Sequence, residues 1–364
     1  MNSKQILTAA FVLAACVYGG AAMPDSFDNS LLLNGRWAKA DSCLCASAPA
    51  VSVSFWANAK EVSFDIEGEA RFRLDTDGKP GEYFTILGRT VQKVALAKDG
   101  REHLYRLVKV SESNPGKICL HGIALGKGGS FGKRPEPSRR RIEFIGDSFT
   151  VGYGVEANGP EDGTPFEKTN TAKAYSFLLA DGFKADYQIN AVSGRGLVRN
   201  YANIVPEWTL ASLYEYTVPG SIEQEAGGAD QGPKTAGIRW DFEQFHPQVV
   251  VVFVGINDFQ GEPPYADAAQ FKRAYAALLD KLRSLHPGVK FLLVSTKTWP
   301  NDALTPVVEE IYKDQVAAGH ADLLYRLVYT ENTALHGHPS EMSQKMLAND
   351  LRPLVARLGG WLSR

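Results

Sequence analysis

A serine oxygen attacks a carbonyl only when a neighbouring base takes its proton, and this chain holds one serine in a setting suited to exposing it. In RRRIEFIGDSFTVGYG, residues 139–154, the apolar run Ile142–Ile145 stops at Gly146-Asp147-Ser148, and Gly152 and Gly154 follow. Glycines permit the tight turn that lifts a side chain clear of a strand end. Ser148 therefore has nucleophile geometry; its competing role is a helix N-cap.

The base must come from one of seven histidines. His103 and His121 fall in a β-rich N-terminal half. His246 and His286 each precede a proline at the amino end of an apolar run, and His320 closes a helix on that same edge. Ligands of an open α/β sheet collect at the carboxyl ends of its strands, which leaves His336 and His338 in TALHGHPSEMSQKMLANDL. Two further strand ends converge there. VVVVFVG ends at Gly255-Ile256-Asn257-Asp258, where the Asn257 amide could donate to an oxyanion, and NAVSGRG ends with Gly194 and Gly196, whose backbone N–H groups are unobstructed. Trp299, in STKTWPND, is placed either to stack on a sugar ring or to anchor its loop. Arg199 and Tyr201 are candidates for lining a cleft, while Trp208 and Trp240 read as core.

Two rhythms position these residues. From Leu31 to about Leu125, runs such as AVSVSFWA, EVSFDIEG, ARFRLDTDG and HLYRLVKVS alternate with period two between Asp-Gly and Gly turns, with no helix among them. A jelly-roll-like β-sandwich is expected over residues 23–126. Residues 127–140, rich in Gly, Pro and charge, read as a linker, and the Arg139-Arg140-Arg141 triplet as its solvated end. Beyond it, segments 141–146, 185–194, 247–258, 289–296 and 321–328 are apolar without clean alternation, as in strands buried on both faces. Phe271, Tyr275, Leu278, Leu282 and Leu285 form one stripe of an intervening helix. Residues 141–364 thus predict a three-layer α/β/α unit on a parallel sheet, with 219–237 as a long irregular loop.

Length suits two domains. The balance of 39 basic and 41 acidic residues leaves a net charge of −2 and no concentrated basic face, which excludes a nucleic-acid partner. Residues 1–22 have Lys4 and then an apolar run too short to cross a bilayer, the pattern of an export signal. Leu13-Ala14-Ala15-Cys16 resembles a lipobox, which would lipidate Cys16 and anchor the chain; cleavage after Gly20-Ala21-Ala22 is the alternative. Either route predicts a secreted, periplasmic or outer-membrane protein in which disulfides persist. Cys43, Cys45 and Cys119 remain, and a bridge from Cys119 could go to Cys43 or to Cys45.

Gly146-Asp147-Ser148, Ser193-Gly194, Gly255-x-Asn257-Asp258 and His338 together resemble the four blocks of the SGNH (GDSL) hydrolases. The preceding β-rich half, with VSGRGLVRNY (192–201), WDFEQFHPQVVVVFVGINDF (240–259) and GHPS (337–340), is similar more narrowly to carbohydrate esterase family 2, over essentially the whole mature chain. The resemblance implies that Ser148 attacks an ester, with His338 as general base and then acid. It also implies an oxyanion hole from the Ser148 and Gly194 N–H groups and the Asn257 amide, with Asp147 and Asp258 bracing loops. It implies no metal or organic cofactor, a monomer, and acetylated polysaccharide such as xylan or glucomannan as substrate. Lipid or bacterial cell-wall O-acyl groups are the alternative substrates, and a non-catalytic carbohydrate-binding protein the alternative class.

One position departs from the family. Many SGNH enzymes carry an Asp three residues before the histidine; here it is Leu335, and His336 stands two before. A backbone carbonyl is therefore expected to orient His338 through Nδ1, giving a Ser–His dyad. A metal site on His336 and His338 would need a third ligand that the sequence does not nominate.

Overall fold

The computed structural model describes residues 29–40, 42–112, 116–220 and 237–361. The export segment with Cys16, and most of the expected 219–237 loop, lie outside these residues.

The N-terminal half is antiparallel. Its strands are β1 (Leu32–Asn34), β2 (Ala38–Ala40), β3 (Cys43–Ala46), β4 (Ser52–Asn58), β5 (Glu61–Thr76), β6 (Tyr83–Ala95), β7 (His103–Lys109), β8 (Ile118–Leu125) and β9 (Ser130–Phe131). They form one nine-stranded sheet, ordered β1-β4-β7-β5-β8-β3-β2, with β6 also on β5 and β9 on β4. The 16-residue β5 bonds β8 through its first half and β7 through its second, so the sheet curls over on itself there. The curl encloses an aromatic core. Phe55 meets Phe64 edge-on at 6.3 Å, and Phe84 stacks on both Phe64 and Phe72.

Two expectations change. EVSFDIEG and ARFRLDTDG are one strand, because Gly68 does not break the ladder but pairs with Gly88 across it. A Cβ on Gly68 would lie 2.7 Å from the Lys117 carbonyl, at a φ of +131° that also favours glycine. The linker likewise contributes β9, where Phe131 pairs with Ala57.

Strand register settles the bridge. Cys45 sits directly opposite Cys119 in the β3–β8 ladder and is disulfide-bonded to it. Cys43 lies opposite Ala40, outside the bridge, with its Sγ 3.5 Å from that of Cys45.

The second half adds β10 (Arg141–Gly146), β11 (Asp186–Ala191), β14 (Val249–Phe253), β15 (Lys290–Thr296) and β16 (Leu323–Val328), with the short pair β12 (Tyr216–Val218) and β13 (Ile238–Arg239) apart. The five form a parallel sheet ordered β11-β10-β14-β15-β16. Every residue of β14 is buried, so both faces are covered. The helix Ala268–Leu285 shows why the sequence folds this way: Asp267 caps it by accepting from the Gln270 N–H, and Phe271, Tyr275, Leu278 and Leu282 are buried. Phe271, Leu278 and Leu282 each contribute about 1.5–3 kcal/mol. Among the described residues no helix is long and apolar enough to cross a membrane.

The halves are joined by a polar seam. Arg36, 1% exposed, donates from Nε to Gln188 Oε1 at 2.9 Å and pairs with Glu143, also 1% exposed, at 3.2 Å. Tyr214 Oη donates to the same Glu143 oxygen at 2.9 Å. Nearby, Asn34 Oδ1 accepts from the Tyr187 N–H, and the Tyr187 hydroxyl donates to the Ala50 carbonyl.

Candidate active site

The parallel strand order reverses between β10 and β14, and such a switch point opens a crevice at the carboxyl edge. Ser148 follows β10, Asn257 follows β14, and Gly194 follows the neighbouring β11. Ser148 begins the short helix Ser148–Val151, but Asp147 is its cap, with Oδ1 accepting from the Phe149 N–H at 3.1 Å. The Ser148 hydroxyl is thus not spent on capping.

It faces an imidazole. His338 Nε2 lies 2.9 Å from Ser148 Oγ, and His338 Nδ1 lies 3.0 Å from the Leu335 carbonyl oxygen. A carbonyl can only accept, so Nδ1 carries the proton and Nε2 is left as the acceptor facing the serine. The ring sits between Tyr153, at 4.5 Å between centroids, and Phe149, at 5.8 Å. Burial pushes the His338 pKa down to about 4; the Leu335 carbonyl offsets part of this, and neighbouring His336 adds to it. At neutral pH the base is therefore in its proton-accepting form.

Leu335 explains the family departure. Its side chain is fully buried with Ala157 and Ala334 beside Tyr153, and its carbonyl meets the imidazole that a carboxylate would otherwise hold. Gly154 lets it in: at a φ of +62°, a Cβ there would stand 2.4 Å from Leu335 Cβ. His336 points elsewhere. Its backbone is left-handed at φ +50°, and its Nδ1 lies 2.9 Å from the Tyr153 hydroxyl. Among the described residues no third metal-ligating group joins His336 and His338.

The expected oxyanion donors differ in availability. Among the described residues the Ser148 and Gly194 N–H groups donate to no protein acceptor, and Gly194 has open space where a Cβ would point. The Asn257 amide is engaged instead, donating to Asp147 Oδ2 at 3.2 Å and to the Arg195 carbonyl at 3.0 Å. Asp258 braces the loop after β11 by accepting from the N–H groups of Leu197, Val198 and Arg199. Burial raises the Asp147 pKa to about 7 and that of Asp258 to about 6.

Arg199 does not line the cleft. It is 7% exposed, and its guanidinium donates to the Asn257 carbonyl at 2.7 Å. Tyr201 and Trp299 are exposed, Trp299 by 77%, with the Trp299 N–H donating to Gln260 Oε1 just beyond the Asn257 turn. Trp208 and Trp240 are buried. His246 and His286 face each other at 3.3 Å on the far side, His286 near Glu143, while His103 and His121 bond carboxylates of the β-rich half.

Two site residues escaped the sequence. Tyr153 had a signal, as an aromatic between Gly152 and Gly154. Glu112 had none: it follows β7, is 7% exposed, and its carboxylate accepts from the Ser193 N–H at 3.2 Å. Its neighbour Lys109 is fully buried, with Nζ donating to the carbonyls of Ser47, Ser111 and Glu112.

A serine and an imidazole in contact at the carboxyl edge of a parallel sheet, beside two open amides, are the layout of a carboxylic ester hydrolase. Residues 144–327 match the GDSL-like Lipase/Acylhydrolase family. The chain is 31% identical over 322 residues to an acetylxylan esterase / glucomannan deacetylase of Cellvibrio japonicus, covering 83% of this chain and 82% of that protein. It is 30% identical over 351 residues to the cellulase/esterase CelE of Acetivibrio thermocellus, covering 93% of this chain but only 40% of CelE. A family two carbohydrate esterase from Clostridium thermocellum, solved in complex with cellohexaose, superposes with a TM-score of 0.80 at 28% identity, over 91% of this chain and all of that one. The chain belongs to the GDSL-like hydrolases and, within them, to carbohydrate esterase family two.

Proposed function

We propose that this protein is an exported esterase that removes O-acetyl groups from plant cell-wall polysaccharides such as xylan and glucomannan. The observation that carries the reading is the 2.9 Å contact between Ser148 Oγ and a His338 ring already held through Nδ1. The Cellvibrio relative, described as acting on acetylxylan and glucomannan, supports the substrate class.

Ser148 Oγ attacks the acetyl carbonyl carbon as His338 Nε2 takes the hydroxyl proton. Negative charge on the carbonyl oxygen is met by the Ser148 and Gly194 N–H groups. Asn257 joins them by turning the N–H it gives to Asp147 toward the oxyanion while its other N–H stays on the Arg195 carbonyl; one such donor contributes about 3 kcal/mol to the transition state. Collapse breaks the bond to the sugar oxygen, which leaves with the proton from His338. Water then attacks the acetyl-serine, giving its proton to Nε2, and the serine departs with it. Trp299 offers its exposed ring to a sugar of the bound chain.

The finer organisation follows the sequence: an export segment at 1–22, with Cys16 a candidate lipid anchor; a jelly-roll-like unit at 23–126; a connecting segment at 127–140; and the hydrolase unit at 141–364, working as a monomer. Acetate release from acetylated xylan and glucomannan, set against hydrolysis of a long-chain nitrophenyl ester, tests the reading. Fast acetate release, lost in Ser148→Ala, is expected. Preference for the long acyl chain would transfer the assignment to lipid esters, and binding without turnover would make the protein a carbohydrate binder.

A further inference from the structure

A carboxylate beside a catalytic imidazole fixes the ring by charge as well as by direction; the Leu335 carbonyl, 3.0 Å from His338 Nδ1, offers one neutral acceptor instead. The ring can still tilt about that bond, so its faces must supply further restraint. Tyr153 provides the closer of the two contacts there. Its ring centroid lies 4.5 Å from that of His338 with the planes inclined by 41°, whereas Phe149 approaches edge-on at 5.8 Å.

Tyr153 is itself held at three points. Its N–H donates to the Ser148 carbonyl at 3.0 Å, which makes its backbone a continuation of the nucleophile's own turn. Gly152 before it and Gly154 after it are left-handed, at φ +76° and +62°, so the chain reverses on both sides of the ring. Its hydroxyl lies 2.9 Å from His336 Nδ1. That third contact falls on the turn that delivers the base: His336 and Gly337 are left-handed in succession, at φ +50° and +71°, and His338 follows. A residue with a Cβ resists this conformation, and surrounding contacts hold it there. For His336 they are the Tyr153 hydroxyl at the side chain and the Pro160 carbonyl, which accepts from its N–H at 2.8 Å.

We propose that Tyr153 is a positioning residue for the ester-cleaving reaction: its ring, laid against the His338 imidazole, supplies orientation that an Asp supplies in many SGNH enzymes, and its hydroxyl secures the His336 turn that presents the base. It acts through His338, and the inference rests on the esterase reading of the Ser148–His338 pair. The ring also keeps water from one face of the imidazole, in line with burial as the first cause of the lowered His338 pKa. The ionisable groups nearby are His336 on the same loop and, acting on Tyr153 from the β-rich half, Glu112.

Two variants separate the ring from the hydroxyl, with kcat and KM on a soluble acetyl ester measured across pH. Histidine-labelled NMR reads the His338 titration directly, its signal identified by its loss in His338→Ala. Tyr153→Ala should lower kcat about tenfold or more with KM little changed, as befits loss of a contact between aromatic rings at the base. The imidazole should titrate about one unit higher in that variant, because water then reaches its uncovered face. Tyr153→Phe keeps the ring and should recover most of both effects. A Tyr153→Ala rate close to wild type would overturn the proposal, as would a Tyr153→Phe variant no better than Tyr153→Ala. So would a rate loss that follows a fall in melting temperature while His338 titrates as in wild type. Absence of acyl release by the wild-type protein from any ester would instead defeat the esterase reading, and the NMR titrations would still report whether Tyr153 governs the ring.

Discussion

The Glu112 carboxylate, from the β-rich half, accepts a hydrogen bond from the Ser193 N–H, one residue before the Gly194 amide that stands open beside Ser148. The N-terminal half thereby reaches into the catalytic edge of the other. Glu112→Ala should lower kcat on a soluble acetyl ester about tenfold with KM little changed, in line with about 1.5 kcal/mol for a charge-assisted bond. Glu112→Gln keeps an acceptor and should recover most of the rate. Equal losses in both variants, tracking a fall in melting temperature, would reduce Glu112 to a packing role.

The depressed pKa of His338 sets the acid limit. A protonated imidazole cannot take the serine proton, so the rate is lost as pH falls through the folded-state value of about 4, not through the ordinary 6.5. A profile of kcat/KM should therefore show its final decline only below about pH 5. Asp147, raised to about 7, gains its proton above that decline; an inflection due to it should vanish in Asp147→Asn while the lower limb stays.

Replacing the two neighbouring histidines should have unequal results. His338→Ala removes the base and should cost on the order of 10⁴-fold or more in kcat. His336→Ala removes a contact to the Tyr153 hydroxyl and should stay within a few-fold of wild type. Because His336 helps to depress its neighbour, its loss should also move the acid limb upward. Parallel kinetics of the two variants would expose the error if both were equally inactive.

The Cys45–Cys119 bridge ties positions 74 residues apart. Chain-entropy arguments place its contribution at about 4 kcal/mol. Melting curves should show a drop of several degrees for the Cys45→Ala/Cys119→Ala pair and little change for Cys43→Ala. A drop of equal size in Cys43→Ala would contradict the pairing.

Much of the site could be read from the chain because strand ends carry local signals. The apolar runs located all five parallel strands; excluding histidines at amino-end positions left His336 and His338, and the resemblance to the SGNH hydrolases singled out His338, which the structure puts against Ser148. What escaped depends on contacts between distant segments. Gly68 looked like a turn because its pairing with Gly88 is a tertiary fact, and the choice between Cys43 and Cys45 needed a register that no single strand encodes. Arg199 looked available to a cleft, but backbone carbonyls of the Asn257 turn claim its guanidinium. Glu112 reaches Ser193 across 81 positions, and no periodicity reports such a contact.

The Arg36–Glu143 seam bears on how such a protein can be inherited. Cutting the chain between its halves would strand a carboxylate inside the remaining hydrolase unit, at several kcal/mol, a large share of the margin that keeps a domain folded. The two segments are therefore poor candidates for separate shuffling among genes. A recombination event that moved one without the other would deliver a fragment unable to keep its shape, so lineages carrying this enzyme should transmit the pair as a single cassette.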